Sequence, residues 1–502
     1  MTSETIERTP PRAAEAAPGV ARSDAKAVNA RKQRDLYASR VKVYPKLGSG
    51  KFRTIKWIFM IVSLGIYYGL PWIRWDRGPG HPNQAILLDF AHTRLYFGPL
   101  EIWPQELYLI TGVLVISALA LFLVTALAGR VWCGYACPQT VWTDLMIAVE
   151  RFWQGDRNAR IRLDASPMSF NKLWRKTATH ISWLLIGLAT GGVLVFYFRD
   201  APTLVQELLT GTAPTVALVF IFIFTAFTYL LGGIAREQVC IYMCPWPRIQ
   251  GAMFDADSYL VSYHGVRGEP RGPHKKNDPW EGRGDCIDCA QCVAVCPVGI
   301  DIRDGAQLEC IQCALCIDAC NAIMKKVNRP PLLIAYDTFH NIDAATTGHS
   351  KRTRILRPRT VLYGLMILLV SAITLFALFN RSIVTVTVQA DRNPLFVVLS
   401  DGSVRNGFTV KIENKQAGAH HFKVSVDGLP NAGLSTAGSD ATGDQLVDVD
   451  AGTLKAIKLY VKVPPGDARN LASDTAPFDV VVTDTGDNSV TRHRTSFRRP
   501  TP

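Results

Sequence analysis

The sequence predicts a multi-domain membrane protein: an α-helical transmembrane bundle of five spans, a cysteine-rich domain inserted before the fifth, and a β-sandwich at the carboxyl end. Three observations point there. Five charge-poor apolar runs each reach the roughly 17–25 residues that a bilayer-crossing helix needs. Eight of the twelve cysteines crowd between Cys286 and Cys320. Beyond Phe379 the apolar residues stop recurring at helical spacing and alternate with polar ones.

Taken in order, residues 1–50 are rich in Ala, Pro, Glu and Arg without apolar periodicity, which predicts a disordered cytoplasmic arm. The bundle follows over residues 51–263, with spans at Ile55–Trp72, Glu106–Ala128, Ile181–Phe198 and Pro214–Ile234, and a fifth at Val361–Phe379. Lys56 lies near enough to one end of the first span to snorkel. Buried helices of a soluble protein rarely run so long without charge, and no segment before Ile55 reads as a cleavable signal. Lys and Arg together number 12 before the first span, then 3, 8, 1 and 16 in the four connecting segments. These counts alternate as the positive-inside rule requires. The amino terminus is therefore expected in the cytoplasm of a bacterial inner membrane, and the carboxyl terminus in the periplasm. The 14 basic residues after Phe379 do not oppose this, because long domains translocate regardless of charge. Trp72, Trp75 and Trp103 suit an aromatic belt on the periplasmic side. The net charge of +13 gathers beside apolar runs, without an aromatic–basic recognition motif; that speaks for anionic lipid and against nucleic acid.

Between the second and third spans, Val141–Trp153 carries apolar residues at helical spacing and predicts an interfacial helix, followed by a basic turn at residues 155–160. Residues 264–345 make up the inserted domain, entered through a Gly- and Pro-rich linker from His264 to Arg283. After the fifth span, Ile383–Val388, Phe408–Ile412, Phe422–Val426, Ile457–Val463 and Phe478–Val482 read as strands. Roughly seven strands over residues 383–502 fit an immunoglobulin-like sandwich without its inter-sheet disulfide, and a barrel is the alternative.

The inserted domain holds the strongest chemical signal: Cys286-x2-Cys289-x2-Cys292-x3-Cys296-Pro297, then Cys310-x2-Cys313-x2-Cys316-x3-Cys320. Three thiolates at this spacing wrap one face of an iron–sulfur cubane while the fourth reaches across to a partner cluster. That is the pattern of a ferredoxin-like domain with two [4Fe–4S] clusters. On this rule Cys286, Cys289, Cys292 and Cys320 hold one cluster, and Cys310, Cys313, Cys316 and Cys296 the other. Structural zinc needs no third cysteine at the same interval. Asn321 stands where the second run would often continue with proline. All twelve cysteines fall in segments that the charge rule makes cytoplasmic, where thiols stay reduced and serve metals rather than disulfides.

The remaining four cysteines form an internal repeat. Cys133-Gly-Tyr-Ala-Cys137-Pro138 follows span two and Cys240-Ile-Tyr-Met-Cys244-Pro245 follows span four, so both hairpins end in C-x-Y-x-C-P and read as parallel repeats. Four apart on a helix, the thiols of a pair would share a face, and the proline would open a new helix whose N-terminus lowers the thiol pKa. Soft thiolates so placed favour Cu(I), zinc or redox exchange. The structural alternative is four small apolar residues copied along with the hairpin. Met243 is expected to be buried rather than a ligand. No C-x-x-C-H is present, a single histidine (His180) lies at a span edge, and no G-x-G-x-x-G opens a helix; haem and dinucleotides are not expected. His420 and His421 are expected at the surface of the exported domain, and residues 76–79 with Arg94 in a solvated loop or a quinone site.

These motifs are joined by Trp72-Ile-Arg-Trp75-Asp-Arg-Gly-Pro79, Cys137-Pro-Gln-Thr-Val-Trp142, Arg236-Glu-Gln-Val-Cys240, Gly284-Asp-Cys286 and Asp391-Arg-Asn-Pro-Leu395. From about Tyr44 to the carboxyl end the chain resembles the FixG/CcoG family of cbb3-type cytochrome c oxidase accessory proteins. The resemblance implies an oxidoreductase that reduces Cu(II) to Cu(I) at the cytoplasmic side and supplies oxidase assembly. It implies that Cys133, Cys137, Cys240 and Cys244 handle the copper, that oxidase assembly factors are partners, and that the protein is a homodimer. The electron donor is expected to be quinol or a cytoplasmic reductant. Two other readings stand beside this one: a quinol-dependent conduit resembling the membrane ferredoxins of nitrate and nitrous-oxide respiration, and a non-enzymatic assembly scaffold.

Overall fold

The computed structural model describes residues 22–29, 41–78, 81–275, 278–347, 354–416, 418–438, 443–471 and 473–500. The chain divides into two compact units, Met1–Asp76 with Pro82–Leu375, and Arg77–His81 with Phe376–Pro502.

Among the described residues, five helices are long and apolar enough to cross a membrane: Lys51–Trp72, Pro104–Ala128, Phe170–Phe196, Thr215–Ala235 and Pro358–Phe379. Their outward faces carry exposed Ile61, Leu114, Phe222 and Leu368, a density of bare apolar side chains that fits contact with lipid. The third helix begins well before the expected Ile181. Ser169 caps it by accepting a hydrogen bond from the Lys172 N–H, and its first two turns stay largely exposed, burial beginning at Ala178 and Thr179.

What it packs on is the helix Pro138–Gln154, expected to be interfacial. Gln154 Nε2 donates to Thr179 Oγ1 (2.8 Å), Trp183 Nε1 to the Met146 carbonyl (2.9 Å) and Trp142 Nε1 to Thr190 Oγ1 (3.1 Å). Val141, Met146 and Ile147 are buried, so protein covers much of the face predicted to lie in the interface, while Phe152 remains exposed. The fourth spanning helix ends in π-helical turns over Thr228–Ala235, and a second π-helical turn, Val239–Met243, follows at once. Such departures from α geometry concentrate at functional sites.

Glu150 of the helix Pro138–Gln154 ties this unit together. It is 1 % exposed and pairs with Arg160 (3.0 Å), Arg236 (2.9 Å) and Lys42 (3.2 Å). Burial alone would push its carboxyl up; Arg236, Lys42 and Arg160 outweigh that and bring it down to about 2.

The inserted domain is clasped by an antiparallel pair, Leu260–Tyr263 with Ile334–Asp337. Three further short strands, Ile86–Asp89, Arg94–Phe97 and Leu100–Ile102, form a sheet between the first two spans. Runs of three or four residues carry too little alternation to be read from sequence. One expectation is corrected. Residues 22–29 and 41–50, assigned to a disordered arm, lie ordered against the inserted domain because its backbone groups pair with theirs. The rest of residues 1–50 falls outside the described residues.

The second unit is a two-sheet antiparallel sandwich, not a barrel. One sheet orders Gly433–Thr436, Thr453–Val463, Val404–Asn414 and Val384–Ala390, with Val397–Val398 also on Val404–Asn414. The other orders Gln445–Val449, His420–Asp427, Thr475–Asp484 and Val490–Arg498. Alternate residues of both sheets meet in one core, with Phe408, Val410, Ile412, Leu459, Phe422, Val424, Val480 and Phe497 all fully buried. All five expected strands are present, mostly longer than foreseen. The strand Val490–Arg498 escaped the sequence reading because its run, VTRHRTSFR, puts Val490 and the arginines on the outer face and polar Thr491, His493 and Thr495 beside Phe497 on the inner one.

Candidate metal centres

Two loops of the inserted domain share a pattern, Cys286-Ile-Asp-Cys289-Ala-Gln-Cys292 and Cys310-Ile-Gln-Cys313-Ala-Leu-Cys316. Their backbones repeat as well. Asp288 and Ala290 have φ of 51° and 52°, and the matching Gln312 and Ala314 have 55° and 59°. Left-handed non-glycine residues cost on the order of 1–3 kcal/mol each and persist only where the surroundings enforce them. Interleaved with right-handed residues, they turn successive N–H groups into a concave nest suited to an anionic iron–sulfur group. Backbone N–H groups favour the charged sulfurs: that of Gln291 at Cys289, Gln312 at Cys310, Ile334 at Cys320, and Val298, Gly299 and Ile300 at Cys296.

The eight sulfurs separate into two sets by mutual influence. Cys289 faces Cys286, Cys292 faces Cys320 and Cys289, and Cys320 faces Cys289 and Cys286. Cys296 faces Cys313, Cys310 faces Cys296 and Cys313, and Cys316 faces Cys313, Cys310 and Cys296 most strongly, with Cys292 of the first set beyond them. Apolar residues seal both sets, Ile287, Ile323, Met324 and Leu333 around the first, Val298, Ile300, Ile311 and Leu315 around the second. Burial pushes the free thiols up, Cys310 and Cys320 to about 12 and Cys296 to about 11, so these sulfurs carry charge only when bonded to metal. A small cavity opens among Cys292, Cys296, Cys310, Cys313 and Cys316. Among the described residues, no three Cys, His, Asp or Glu side chains close on one point tightly enough for a single ion. The all-sulfur, N–H-lined, apolar-walled sets therefore fit cubanes, which spread their thiolates over a wider shell.

The two thiol pairs lie beside the second set. Cys133 faces Cys137 and Cys244, and Cys240 faces Cys137, Cys133 and Cys244, so the pairs meet each other. Cys133 and Cys240 share one apolar cluster with Cys296, Cys310, Cys313 and Cys316. Gly134 makes the approach possible. A Cβ there would stand 2.8 Å from the Ile311 carbonyl oxygen and 3.0 Å from Cys313 Cα. Tyr135 OH donates to the Cys313 carbonyl (3.2 Å) and Tyr336 OH to that of Gln312 (2.5 Å). The Arg130 guanidinium donates to the carbonyls of Leu308 and Cys310, the latter at 3.0 Å, and to Gln250 Oε1 at 3.2 Å. Cys133 Sγ donates to the same Gln250 oxygen at 3.3 Å.

Three expectations about these pairs change. The thiols of a pair do not sit on one helix: Cys133 lies in the helical turn Val131–Tyr135, whereas Cys137 is extended (φ −60°, ψ 127°), as is Cys244 (φ −79°, ψ 122°) after the π-helical Cys240. Pro138 and Pro245 enforce this, because a residue before proline is driven out of the α region. Each proline does open the next helix, Pro138–Gln154 and Trp246–Met253. The thiol pKa is not lowered at Cys133 or Cys240. Burial raises both, Cys240 to about 12, since these two lie inside the fold and not at the new helix starts. Met243 is 64 % exposed, not buried.

The ordered arm crosses the first loop. The Ser23 N–H donates to the Cys289 carbonyl (2.9 Å), the Lys46 N–H to that of Ala294 (2.8 Å), and Lys46 Nζ to Gln291 (3.0 Å). Arg22 pairs with Asp288 (2.6 Å). His180 bonds Tyr229 OH at 3.0 Å, and His420 pairs with Asp484 at 2.8 Å. Sequence reasoning missed Arg130, Gln250 and Tyr336, and gave no role to Tyr135, the tyrosine of C-x-Y-x-C-P. Arg130, three residues before Cys133, was the one with a visible signal: a cation at the end of an apolar run next to a thiol motif.

Residues 235–339 match the family described as a 4Fe–4S dicluster domain, and residues 110–154 one described as a 4Fe–4S binding domain. Residues 374–500 match the immunoglobulin-like fold at the C-terminus of FixG. Similar proteins include the nitrogen fixation protein FixG of Rhizobium meliloti, 46 % identical over 96 % of this chain and 97 % of that one. Protein RdxB of Cereibacter sphaeroides is 51 % identical over 85 % of this chain and 90 % of its own, and protein RdxA of the same organism 47 % over 86 % and 91 %. With identity of this level along nearly the whole length, the chain belongs to the FixG/CcoG-like family of iron–sulfur membrane proteins.

Proposed function

We propose that this membrane-bound iron–sulfur electron-transfer protein is a cupric reductase that makes Cu(I) for the assembly of a cbb3-type cytochrome oxidase. Cys286, Cys289, Cys292 and Cys320 would hold one [4Fe–4S] cluster, and Cys296, Cys310, Cys313 and Cys316 the other. Bound there, the clusters supply one-electron redox chemistry in a water-poor site. Cys133, Cys137, Cys240 and Cys244 receive the substrate, Cu(II), which takes up one electron and leaves as Cu(I). Thiolates prefer the soft Cu(I) ion, which favours its formation at these pairs, and two sulfurs suffice to hold it in transit. Quinol or a cytoplasmic reductant is the source of electrons, and oxidase assembly factors receive the product. The thiols lie on the cytoplasmic side and the sandwich on the periplasmic side, and the protein works as a homodimer.

The observation that carries this reading is the seating of the first thiol motif on the Ile311–Cys313 backbone through Gly134, with Cys133 and Cys240 both packed in the apolar cluster of the second sulfur set. The test uses the full chain, purified and kept without oxygen, reduced and then mixed with Cu(II) and a Cu(I)-specific chelator. Replacing all four pair cysteines with serine is expected to abolish Cu(I) formation at unchanged iron and sulfide content. Equal Cu(I) yields from the two proteins would refute the assignment.

A further inference from the structure

Arg130 is 2 % exposed, yet no carboxylate among the described residues pairs with it. Its partners are neutral: the Leu308 and Cys310 carbonyls and the Gln250 side-chain oxygen, while its own N–H donates to Gln312 Oε1 (2.9 Å). A buried guanidinium without counter-charge is costly, so negative charge must come from what surrounds it. Sulfur lies beside it: Cys133 Sγ shares the Gln250 oxygen with the guanidinium, which also donates to the carbonyl of Cys310. The first cysteine loop shows the contrast. Beside Cys289 and Cys292 stands Arg303, already neutralised by Asp301 (2.6 Å) and Asp288 (2.6 Å).

We infer that Arg130 is the shared counter-ion of the thiol pairs and the Cys296/Cys310/Cys313/Cys316 set, favouring both the reduced state of the cluster held there and Cu(I) on the pairs. A fixed positive charge in a low-dielectric site stabilises whichever state is more negative. An added electron and a thiolate-bound metal are both of that kind. The part concerning the cluster rests only on the iron–sulfur assignment; the part concerning Cu(I) rests on the cupric reductase reading.

Potentiometric titration followed by EPR, on the full chain in detergent and free of copper, separates the two. Arg130→Gln removes the charge, Arg130→Lys keeps it, and Gln250→Glu leaves the guanidinium in place but sets a carboxylate against it. In Arg130→Gln and Gln250→Glu, one of the two cluster signals is expected to become about tenfold harder to reduce, about 59 mV for a one-electron couple, and the other to stay put. Arg130→Lys is expected to match the wild type. Unshifted potentials in both charge-neutralised variants overturn the inference, as does an equal shift in Arg130→Lys, which would make geometry the cause. Should Arg130→Gln lose its iron, Gln250→Glu decides alone. A wild-type protein without iron would overturn the functional reading as well, whereas unshifted potentials overturn this inference and leave that reading standing.

Discussion

The two cysteine loops have nearly one sequence and one backbone, and they keep different company. The first lies under the amino-terminal arm, with Ser23, Lys46 and Arg22 on its backbone and side chains and a carboxylate-paired Arg303 beside it. The second lies under the thiol motif, with Gly134 against it, Tyr135 and Tyr336 on its carbonyls, and the unpaired Arg130 at its edge. Local spacing makes two equivalent cradles. Their neighbours cover one with the arm and set the other beside the two thiol pairs.

The comparison can be broken most forcefully at Glu150, which anchors the arm through Lys42 and holds Arg160 and Arg236. Glu150→Gln strands two buried guanidinium groups and is expected to cost about 3–5 kcal/mol. It should loosen the arm over the first loop before the second, seen as faster proteolysis near residues 41–50. Acid should mimic it. A carboxyl held at about 2 in the fold, against about 4.5 unfolded, contributes stability that is complete above about pH 4.5 and is lost as the pH falls through 2. The total at stake is about 3 kcal/mol, and unfolding midpoints between pH 6 and 2 should show the wild type losing it while Glu150→Gln, with no carboxyl to titrate, does not.

Gly134→Ala tests the other side. The added methyl meets the Ile311 carbonyl and Cys313 Cα, and relieving that contact should cost about 1–3 kcal/mol. Cu(I) formation is expected to slow at full iron content; an unchanged rate would mean that close seating of the thiol motif does not matter. The smallest effect is expected from Arg22→Ala. Its pair with Asp288 is half exposed, so less than about 1 kcal/mol should be lost, with no change in either cluster signal.

Much of this was legible in the chain. The five long apolar helices, the cysteine-rich 4Fe–4S-type domain and the sandwich strands all rest on local periodicity or spacing, which survives without knowing the fold. What was misread depended on neighbours. The motif Cys133-x3-Cys137 looked helical until Pro138 forced Cys137 into an extended conformation. The arm looked disordered because its order is lent by backbone groups such as those of Cys289 and Ala294, which leave no apolar pattern in residues 22–29. Tyr336 was invisible because its partner, the Gln312 carbonyl, lies in another loop and bears no side-chain signature.

The sequence alone determined which residues could bind metal and which segments could enter lipid. Thiolate spacing and runs of apolar residues are properties of the chain, fixed by bond lengths and by the thickness of a bilayer. Only the tertiary structure decided that the thiol pairs lie beside the second cysteine loop and not the first, and that Arg130 stands between them. Proximity across about 180 residues follows from how helices and loops pack, and no local pattern encodes it.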